Sequence, residues 1–398
     1  MNTPVKPVVT IPQDPFLKWP FFSQTEEEAV LRVLRDGNVS THPVIQELEE
    51  DFCQFTGCKF ALAHCNGTAA LLAAFHALGL EPGDEVLVPS ATFWASVLPM
   101  VWCGLKPIFC ESESDTLGID PADAARRITP RTRAIVMVHL WGLPCKVGEI
   151  RQLADIHGLK IIEDASHAHG ASVEGVPCGR FGDVSVFSLQ GDKLVPAGEG
   201  GVLLTDDETI YTRAVCLGDI TRIIKLPWPE MRFAATSFGI KTRIAPMSAA
   251  LGRAMLSRLP QNNAVRNRNH LMLSEALEPL GLDCFLSPPD IERVYFEFII
   301  RHRNPDVEIA PLIETLQQMG CRVSLPRYPL LHQQPFFTEG HWQAVGRYPQ
   351  GDAMNCAPLS LPRTEEANGK LIRLPNFSHP QSDPLIQQYA DAFRQAIL

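Results

Sequence analysis

The chain has 398 residues, of which 45% are hydrophobic, and its formal net charge is −10 at pH 7. This length suits one large domain with a smaller one, or two of medium size, and the acidic balance argues against binding to nucleic acid or to an anionic membrane surface. The 11 cysteines are scattered without a C-x-x-C pair, which indicates reduced thiols rather than a disulfide framework or a zinc site.

Two helices are predicted near the start of the chain. Thr25–Gly37 has Thr25 as its cap, acidic residues in the first turn and Gly37 as its end. Pro43–Phe55 carries apolar residues at helical spacing. The segment before them lacks the parts of a signal peptide, and no apolar run approaches ~20 residues, so we expect a cytoplasmic protein without a membrane span.

A strand at Phe60–His64 is followed by the turn Asn66-Gly67-Thr68 and a helix that runs to Leu78. The free N–H groups and the dipole of a helix N-terminus favour a bound phosphate. The plainer interpretation is N-capping by Asn66 or Thr68, which any helix requires. Gly67 and Thr68 are therefore candidate residues for an anion site.

Strands and helices then alternate along the chain. Predicted strands lie at 85–89, 107–110 and 134–139, and predicted helices at 120–128 and 146–157. Phe93 and Trp94 follow the first of these strands, where aromatic residues usually pack in a core but can also stack on a flat ring. This alternation predicts a mainly parallel sheet with right-handed crossovers.

The stretch from Lys160 to Asp206 contains three apolar runs that indicate buried strands, and polar residues stand where they end. Asp164 closes the first run, Ser188 lies near the end of the second, and Lys193 follows on a loop with apolar flanks. Open α/β sheets place their ligand sites at the carboxyl ends of strands. We therefore expect these three side chains at one site.

Lys193 is the candidate nucleophile. A partly desolvated lysine has a lowered pKa and can form a Schiff base with a carbonyl. For an arbitrary lysine, a solvated position in a loop is the commoner case. Asp164, however, ends a buried strand, where a carboxylate needs a cationic partner. A pyridinium nitrogen would be such a partner, so this pair is typical of pyridoxal 5′-phosphate (PLP) chemistry.

Several separated motifs resemble the sugar aminotransferases of the DegT/DnrJ/EryC1/StrS family, a branch of the fold-type I PLP enzymes. They read CNGTAAL, EDASHAHGA and FSLQGDKLVPAGEGG, and the resemblance extends from WPFFSQTEEEAVLRVLRDGNVS to KLIRLPNF. It implies an α/β fold with a mainly parallel central sheet, helices on both faces and a smaller α+β C-terminal domain. We predict a large PLP-binding domain over residues 1–260 and the small domain over residues 261–398.

The resemblance also implies roles for individual residues. Lys193 and Asp164 are the expected catalytic pair, and Glu199 and His332 are candidates for substrate contact. The family pattern Gly-x-Asn-x-Arg is altered here, because Lys241 stands at the asparagine position that reaches the cofactor phosphate of the neighbouring subunit. The expected PLP-binding residues are Gly67, Thr68, Phe93, Asp164, His167, Ser188, Lys193 and Lys241.

The implied function is transfer of an amino group to a keto-sugar or related polyol from an amino-acid donor, glutamate or glutamine, by a homodimer with shared active sites. The substrate stays open among nucleotide-linked sugars, sugar phosphates and cyclitols. Two alternatives are a PLP-dependent sugar dehydratase, in which histidine replaces the lysine, and a non-catalytic regulatory homologue. A NAD-dependent enzyme is disfavoured, since no strand is followed by G-x-G-x-x-G.

Overall fold

A computed structural model describes residues 6–346, 348 and 359–398 of the chain. Its strands are β1 (Phe60–His64), β2 (Glu85–Pro89), β3 (Lys106–Cys110), β4 (Thr132–Val138), β5 (Lys160–Asp164), β6 (Ser172–Val173), β7 (Val176–Pro177), β8 (Val184–Ser188), β9 (Gly201–Thr205), β10 (Leu282–Asp283), β11 (Ile291–Glu292), β12 (Phe298–His302) and β13 (Leu371–Leu374).

Helices fill most of the connections between these strands. They are α1 (Asp14–Leu17), α2 (Gln24–Asp36), α3 (Val44–Thr56), α4 (Gly67–Ala77), α5 (Leu98–Trp102), α6 (Pro121–Arg127), α7 (Val147–His157), α8 (Glu208–Gly218), α9 (Ile220–Ile223), α10 (Pro246–Leu277), α11 (Ile309–Gln318), α12 (Pro335–Thr338), α13 (His341–Gly346), α14 (Pro362–Gly369) and α15 (Asp383–Ile397). In the described part of the chain, no helix combines the length and the apolarity needed to cross a membrane.

The main sheet has seven strands in the order β1-β9-β8-β5-β4-β2-β3. The pairs β8–β5, β5–β4, β4–β2 and β2–β3 are parallel, whereas β9 runs antiparallel to both of its neighbours. Since β9 is the reversed strand, β1 and β8 run in the same direction. The carboxyl ends of β1, β8 and β5 therefore meet at one edge of the sheet.

Alternate residues of the central strands face opposite layers of helices. In β2, Val86 and Val88 pack with α4, α5 and α8, while Leu87 packs with α6 and α7 on the other side. A strand that is covered on both faces buries every residue, and all five residues of β2 are buried. This arrangement confirms the predicted α/β class with helices on both faces of a mainly parallel sheet.

Helix α2 begins earlier than predicted. Its N-cap is Ser23, not Thr25, because the Ser23 side chain and Glu26 form a reciprocal capping box. Glu26 accepts from the Ser23 backbone N–H at 2.6 Å. The predicted end is confirmed, since Gly37 follows the helix with a φ of 72°, a left-handed conformation that glycine adopts without steric cost.

A second core lies at the C-terminal end of the molecule. The three-stranded sheet β10-β12-β13 is antiparallel and packs with α11, α15 and the last turns of α10. Helix α10 is 32 residues long and passes through Pro260 without ending. The boundary predicted at residue 260 therefore falls inside a continuous helix, and the division of the chain there stays a proposal.

The segment between Asp219 and Gly239, predicted to be irregular, contains α9 and a 3₁₀ turn at Glu230–Phe233. Several of its apolar side chains are exposed, and Trp228 is 72% exposed. The segment precedes Lys241, which is exposed as well.

Candidate active site

A cavity of about 800 Å³ opens at the sheet edge where β1, β5 and β8 end. Eight of the ten predicted site residues line it, together with the aromatic side chains of Trp94, Trp102, Phe296 and Tyr328. These eight are Gly67, Thr68, Phe93, Asp164, His167, Ser188, Lys193 and Glu199.

The turn before α4 is built for close approach. Asn66 caps the helix by accepting the Ala69 N–H at 2.8 Å, which leaves the Gly67 and Thr68 N–H groups without an intrahelical acceptor. A Cβ at Gly67 would lie 2.8 Å from the Cβ of Ser188, so no larger residue fits without displacing β8. Capping by Asn66 and a cradle for an anion are thus compatible features of one turn.

Asp164 ends β5 and is 5% exposed. Its Oδ2 accepts from the Ser96 hydroxyl at 2.6 Å, and its Oδ1 accepts from the Ser166 N–H at 3.1 Å. These two donors fix the position of the carboxyl group. Ser96 was not predicted to be a site residue, because a serine in a short turn has many ordinary uses.

Lys193 is buried, with 7% of its surface exposed. Its Nζ lies 4.1 Å from the ring centroid of Phe296. Burial lowers the pKa of its ammonium group from 10.5 to about 8, although the nearby Asp164 carboxylate opposes this shift. At pH 7 roughly a tenth of this amine is therefore uncharged, far more than for a lysine with the ordinary pKa of 10.5, and the uncharged amine is the nucleophilic form.

The backbone of Lys193 is held from the N-terminal segment. The indole N–H of Trp19 donates to the Lys193 carbonyl oxygen at 3.0 Å, and the Trp19 ring in turn lies 4.4 Å from the guanidinium carbon of Arg266. Arg266 is itself 1% exposed. The loop that carries the amine is thus tied to a residue 174 positions away in sequence.

His167 lies within a stack of aromatic rings. Its ring is 4.2 Å from Phe296 and 5.8 Å from Trp141, with interplanar angles of 17° and 11°. Its Nδ1 accepts from the Trp141 N–H at 3.3 Å, and its Nε2 faces the Tyr328 hydroxyl at 3.4 Å. Burial, and next the charge of Lys193, keep the pKa of His167 well below 6.5, so the ring is neutral.

Phe93 stands at the mouth of the cavity and is 37% exposed. Its ring is tilted against Trp94 at 4.9 Å and against Tyr328 at 5.5 Å. The three rings form an apolar wall on one side of the cavity. A role for Phe93 in stacking on a cofactor ring stays a prediction.

His332 and Lys241 do not line the cavity. His332 is buried between Ser90, 2.6 Å from Nδ1, and Glu365, 3.1 Å from Nε2. Because both ring nitrogens are engaged, this histidine anchors its loop to the end of β2. A contact between His332 and the substrate stays a prediction. Lys241 is exposed on the surface of its own subunit.

Beside the site, His139, Glu163 and Cys178 form a buried group of potential metal ligands. His139 Nε2 lies 2.9 Å from Glu163 Oε1, and the other Glu163 oxygen accepts from Phe181 N–H and the Ser185 hydroxyl at 2.7 and 2.8 Å. These bonds use the ligand atoms to fix the loop before β8. His139 is thus placed as a structural residue next to Asp164.

Sequence reasoning missed Arg327 and Tyr328, although both line the cavity. The segment RYPLLHQQPFF drew attention to its histidine, whereas the first two residues of the same segment reach the cavity. The pattern that could have found them is an arginine beside a tyrosine in a proline-rich loop. Their position depends on how the C-terminal part of the chain packs, which no local pattern reports.

A model of the DegT/DnrJ/EryC1/StrS aminotransferase family matches residues 21–373. An aminotransferase from Psychrobacter cryohalolentis is 28% identical, with a TM-score of 0.85 over 96% of this chain and 98% of that one. DesV from S. venezuelae, solved in complex with a ketimine intermediate, is 31% identical, with a TM-score of 0.77 over 93% of both chains. The E. coli GDP-4-keto-6-deoxy-D-mannose-3-dehydratase, solved with hydrated PLP, is 23% identical, with a TM-score of 0.80 over 96% of this chain and 98% of that one, and shares the fold.

Proposed function

The chain belongs to the DegT/DnrJ/EryC1/StrS aminotransferase family, and from that premise we propose that it is a PLP-dependent aminotransferase of a keto-sugar or related polyol. The substrate class comprises nucleotide-linked sugars, sugar phosphates and cyclitol ketones, and glutamate or glutamine supplies the amine. The observation that carries the proposal is the buried Lys193 amine, with its pKa lowered to about 8, in the same cavity as the buried Asp164 carboxylate.

The residues present fit PLP. The Gly67 and Thr68 N–H groups and the Ser188 hydroxyl offer donors for its phosphate. Asp164 offers a carboxylate for its ring nitrogen, while Phe93 and His167 offer apolar ring faces. When bound, PLP withdraws electrons from the α-carbon of the amino substrate. Lys193 would hold the cofactor covalently through its amine.

In the reaction, Lys193 is the general base and acid. Once its amine is free, Lys193 would take the proton from the substrate α-carbon and return it at the cofactor carbon to which the lysine had been attached. Asp164 would hold the proton at the pyridine nitrogen, and the Ser96 hydroxyl, 2.6 Å from Oδ2, keeps the carboxylate in place. The aromatic wall of the cavity limits the access of water to these groups.

We include a homodimer with shared sites in the proposal. Lys241 lies on the surface rather than in the cavity of its own subunit, as a residue that serves a neighbouring site would. The segment before it exposes Ile220, Ile224, Trp228, Met231, Phe238 and Ile240, and an apolar surface of this kind is typical of a protein interface. The ten cysteines that the structure describes are unpaired, which supports a reducing, cytoplasmic location.

The second candidate is a sugar dehydratase of the same family. Such enzymes carry histidine where this chain has Lys193, so the lysine favours transamination. A non-catalytic homologue is disfavoured as well, since Lys193, Asp164 and the turn at Gly67 are all retained.

The test compares wild type with Lys193→Ala. PLP-loaded wild type should absorb near ~420 nm, as expected of an imine between lysine and PLP; borohydride should abolish this absorbance and leave the label on Lys193. In a separate sample without borohydride, incubation with glutamate should allow a panel of keto-sugars to gain an amino group, whereas the alanine variant should be folded and inactive. A product that has lost water without gaining nitrogen would identify a dehydratase, and full turnover by the variant would reject the assignment of Lys193.

A further inference from the structure

Arg327 is the cavity-lining residue whose role remains to be assigned. The described residues that line the cavity include one lysine, Lys193, and one arginine, Arg327. Arg327 retains 37% exposure of its side chain, and its guanidinium is permanently charged. The proposed chemistry uses the amine of Lys193 and gives no task to this second cation.

The guanidinium is held on the side away from the cavity. Its Nη2 lies 2.8 Å from Oε1 of Glu297, a carboxylate that is 1% exposed. This contact is close but not aligned as a hydrogen bond, since both Glu297 oxygens are without an aligned partner. The one aligned bond that Arg327 makes to a described residue runs from Nη1 to Asp192 Oδ2 at 3.3 Å. An arginine has five N–H donors, so donors remain for a ligand.

Arg327 and Lys193 also approach the same aromatic ring. The guanidinium carbon of Arg327 is 5.9 Å from the Phe296 centroid, and the Lys193 Nζ is 4.1 Å from it. The charge of Arg327 acts on Lys193 and contributes to the lowering of its pKa. If Arg327 binds the anionic group of a small molecule, the atoms next to that group would therefore lie beside the amine of Lys193.

We propose that Arg327 binds the α-carboxylate of the amino donor and so selects α-amino acids as donors. In an α-amino acid, one carbon separates the amine from the carboxylate, which matches a cation placed beside the reacting lysine. A guanidinium fork suits the two oxygens of a carboxylate, and Glu297 beneath it limits how far the fork can turn. This inference rests on the proposed aminotransferase function.

The test uses Arg327→Gln, with Arg373→Gln as the matched control. Arg373 also approaches Glu297, with Nε 3.1 Å from Oε1, but it is absent from the cavity lining. Each variant removes one guanidinium from the same carboxylate. An effect that both variants share therefore reports on Glu297, and an effect of Arg327→Gln alone reports on the cavity.

Three donors separate the groups involved. Glutamate has both carboxylates, glutamine lacks the side-chain carboxylate, and isoglutamine has an amide in place of the α-carboxylate. The rate of each half-reaction is read from the loss of visible absorbance in a single turnover. In Arg327→Gln, the preference for glutamate over isoglutamine should fall by about 100-fold, the range of a charged hydrogen-bonded contact, whereas Arg373→Gln should keep it. Because a changed pKa of Lys193 affects all donors alike, it cancels in this ratio.

An unchanged preference for glutamate over isoglutamine in Arg327→Gln would overturn the proposal. So would a lower rate with glutamate and isoglutamine but not with glutamine, because Arg327 would then bind the side-chain carboxylate.

A calorimetric titration with 2-methylglutamate separates this inference from the proposed function. This compound carries both carboxylates but no α-hydrogen, so its binding does not depend on turnover. Affinity weakened by about 100-fold in Arg327→Gln and kept in Arg373→Gln supports the carboxylate site even if wild type aminates no ketone. Equal affinity in wild type and Arg327→Gln rejects it.

Discussion

At the scale of single residues, the site depends on a charge that is costly to bury. Lys193 loses most of its hydration, and in the absence of cofactor the Asp164 carboxylate compensates for only part of this loss. The protein accepts this cost because an amine with a pKa near the working pH is a better nucleophile and proton carrier.

The burial of Lys193 predicts how the stability of the cofactor-free protein varies with pH. Its pKa is about 8 in the folded state against an ordinary value of 10.5, so between these pH values the unfolded chain holds a proton that the folded chain has released. Stability must therefore rise with pH across this window. Relative to Lys193→Met, the wild type should gain roughly 3 kcal/mol in its free energy of unfolding from pH 7.5 to pH 10.5.

Urea unfolding of both cofactor-free proteins over that pH range measures the difference, and groups that titrate in both proteins cancel. Parallel curves for the wild type and the variant would show that the Lys193 amine is hydrated in the folded state.

Candidate residues were found by sequence where a residue type, a strand end and a family motif coincided. Lys193, Asp164 and Gly67 met all three conditions and line one cavity. His332 met only the condition of a family motif, and its ring is engaged by Ser90 and Glu365. Arg327 met none, because its place in the cavity results from contacts between segments more than a hundred residues apart.

At the scale of elements, the turn that opens α4 depends on the absence of one side chain. Ser188 at the end of β8 closes against Gly67, where an added Cβ would also lie 3.3 Å from the Ser188 Cα. A backbone neighbour cannot rotate away as a long side chain can. The distance between the helix and the strand is therefore set by the glycine.

Gly67→Ala should weaken PLP binding at least about tenfold, because the turn must shift away from β8 to avoid the overlap. The matched change is Gly148→Ala in the first turn of α7, where no atom lies within 4 Å of the added Cβ and alanine favours the helix. Fluorescence titration of both apoproteins with PLP gives the affinities. Wild-type affinity in Gly67→Ala would show that the turn is free to move, and weakened binding in Gly148→Ala would show that the effect is not local.

Elements were predicted well in the parallel sheet and less well at helix ends. The strands at 60–64 and 85–89 have the predicted bounds, because each is a buried apolar run between turn residues. Helix α2 starts earlier than predicted, because its N-cap is Ser23, two residues before Thr25, and Ser23 forms a capping box with Glu26. Helix α10 continues past Pro260 because its two halves pack on different cores, which a proline in sequence does not reveal.

At the scale of the whole molecule, the proposed homodimer with shared sites predicts that two inactive proteins restore activity together. If Lys241 serves the partner's site, Lys193→Ala and Lys241→Glu damage different positions of each shared site. A mixed dimer then has one site with both defects and one with neither, so about half of the activity of a wild-type dimer should return in it.

Subunit exchange is followed by mass spectrometry, and activity is measured on the same samples. As a control, Lys193→Ala mixed with Asp164→Asn, both from the same side of the site, should stay inactive. Proven exchange without recovered activity would show that Lys241 acts in its own subunit or not at all.

The fold class could be predicted because alternating strands and helices leave few topologies. The reversed direction of β9 could not be predicted, since a short buried strand has the same composition in either direction.

The position of β1 has a consequence for biosynthesis. Its pairing partner is β9, so the turn at Gly67 meets Ser188 and Gly201 only after the 134 residues from Thr68 to Gly201 have followed it out of the ribosome. Synthesis proceeds from the N-terminus, and a nascent chain that ends before β8 has the turn and Asp164 but neither the wall against which that turn rests nor the lysine. If Lys193 holds PLP as proposed, covalent retention of the cofactor therefore marks a chain whose main sheet has been completed, and a fragment from interrupted translation is left without it.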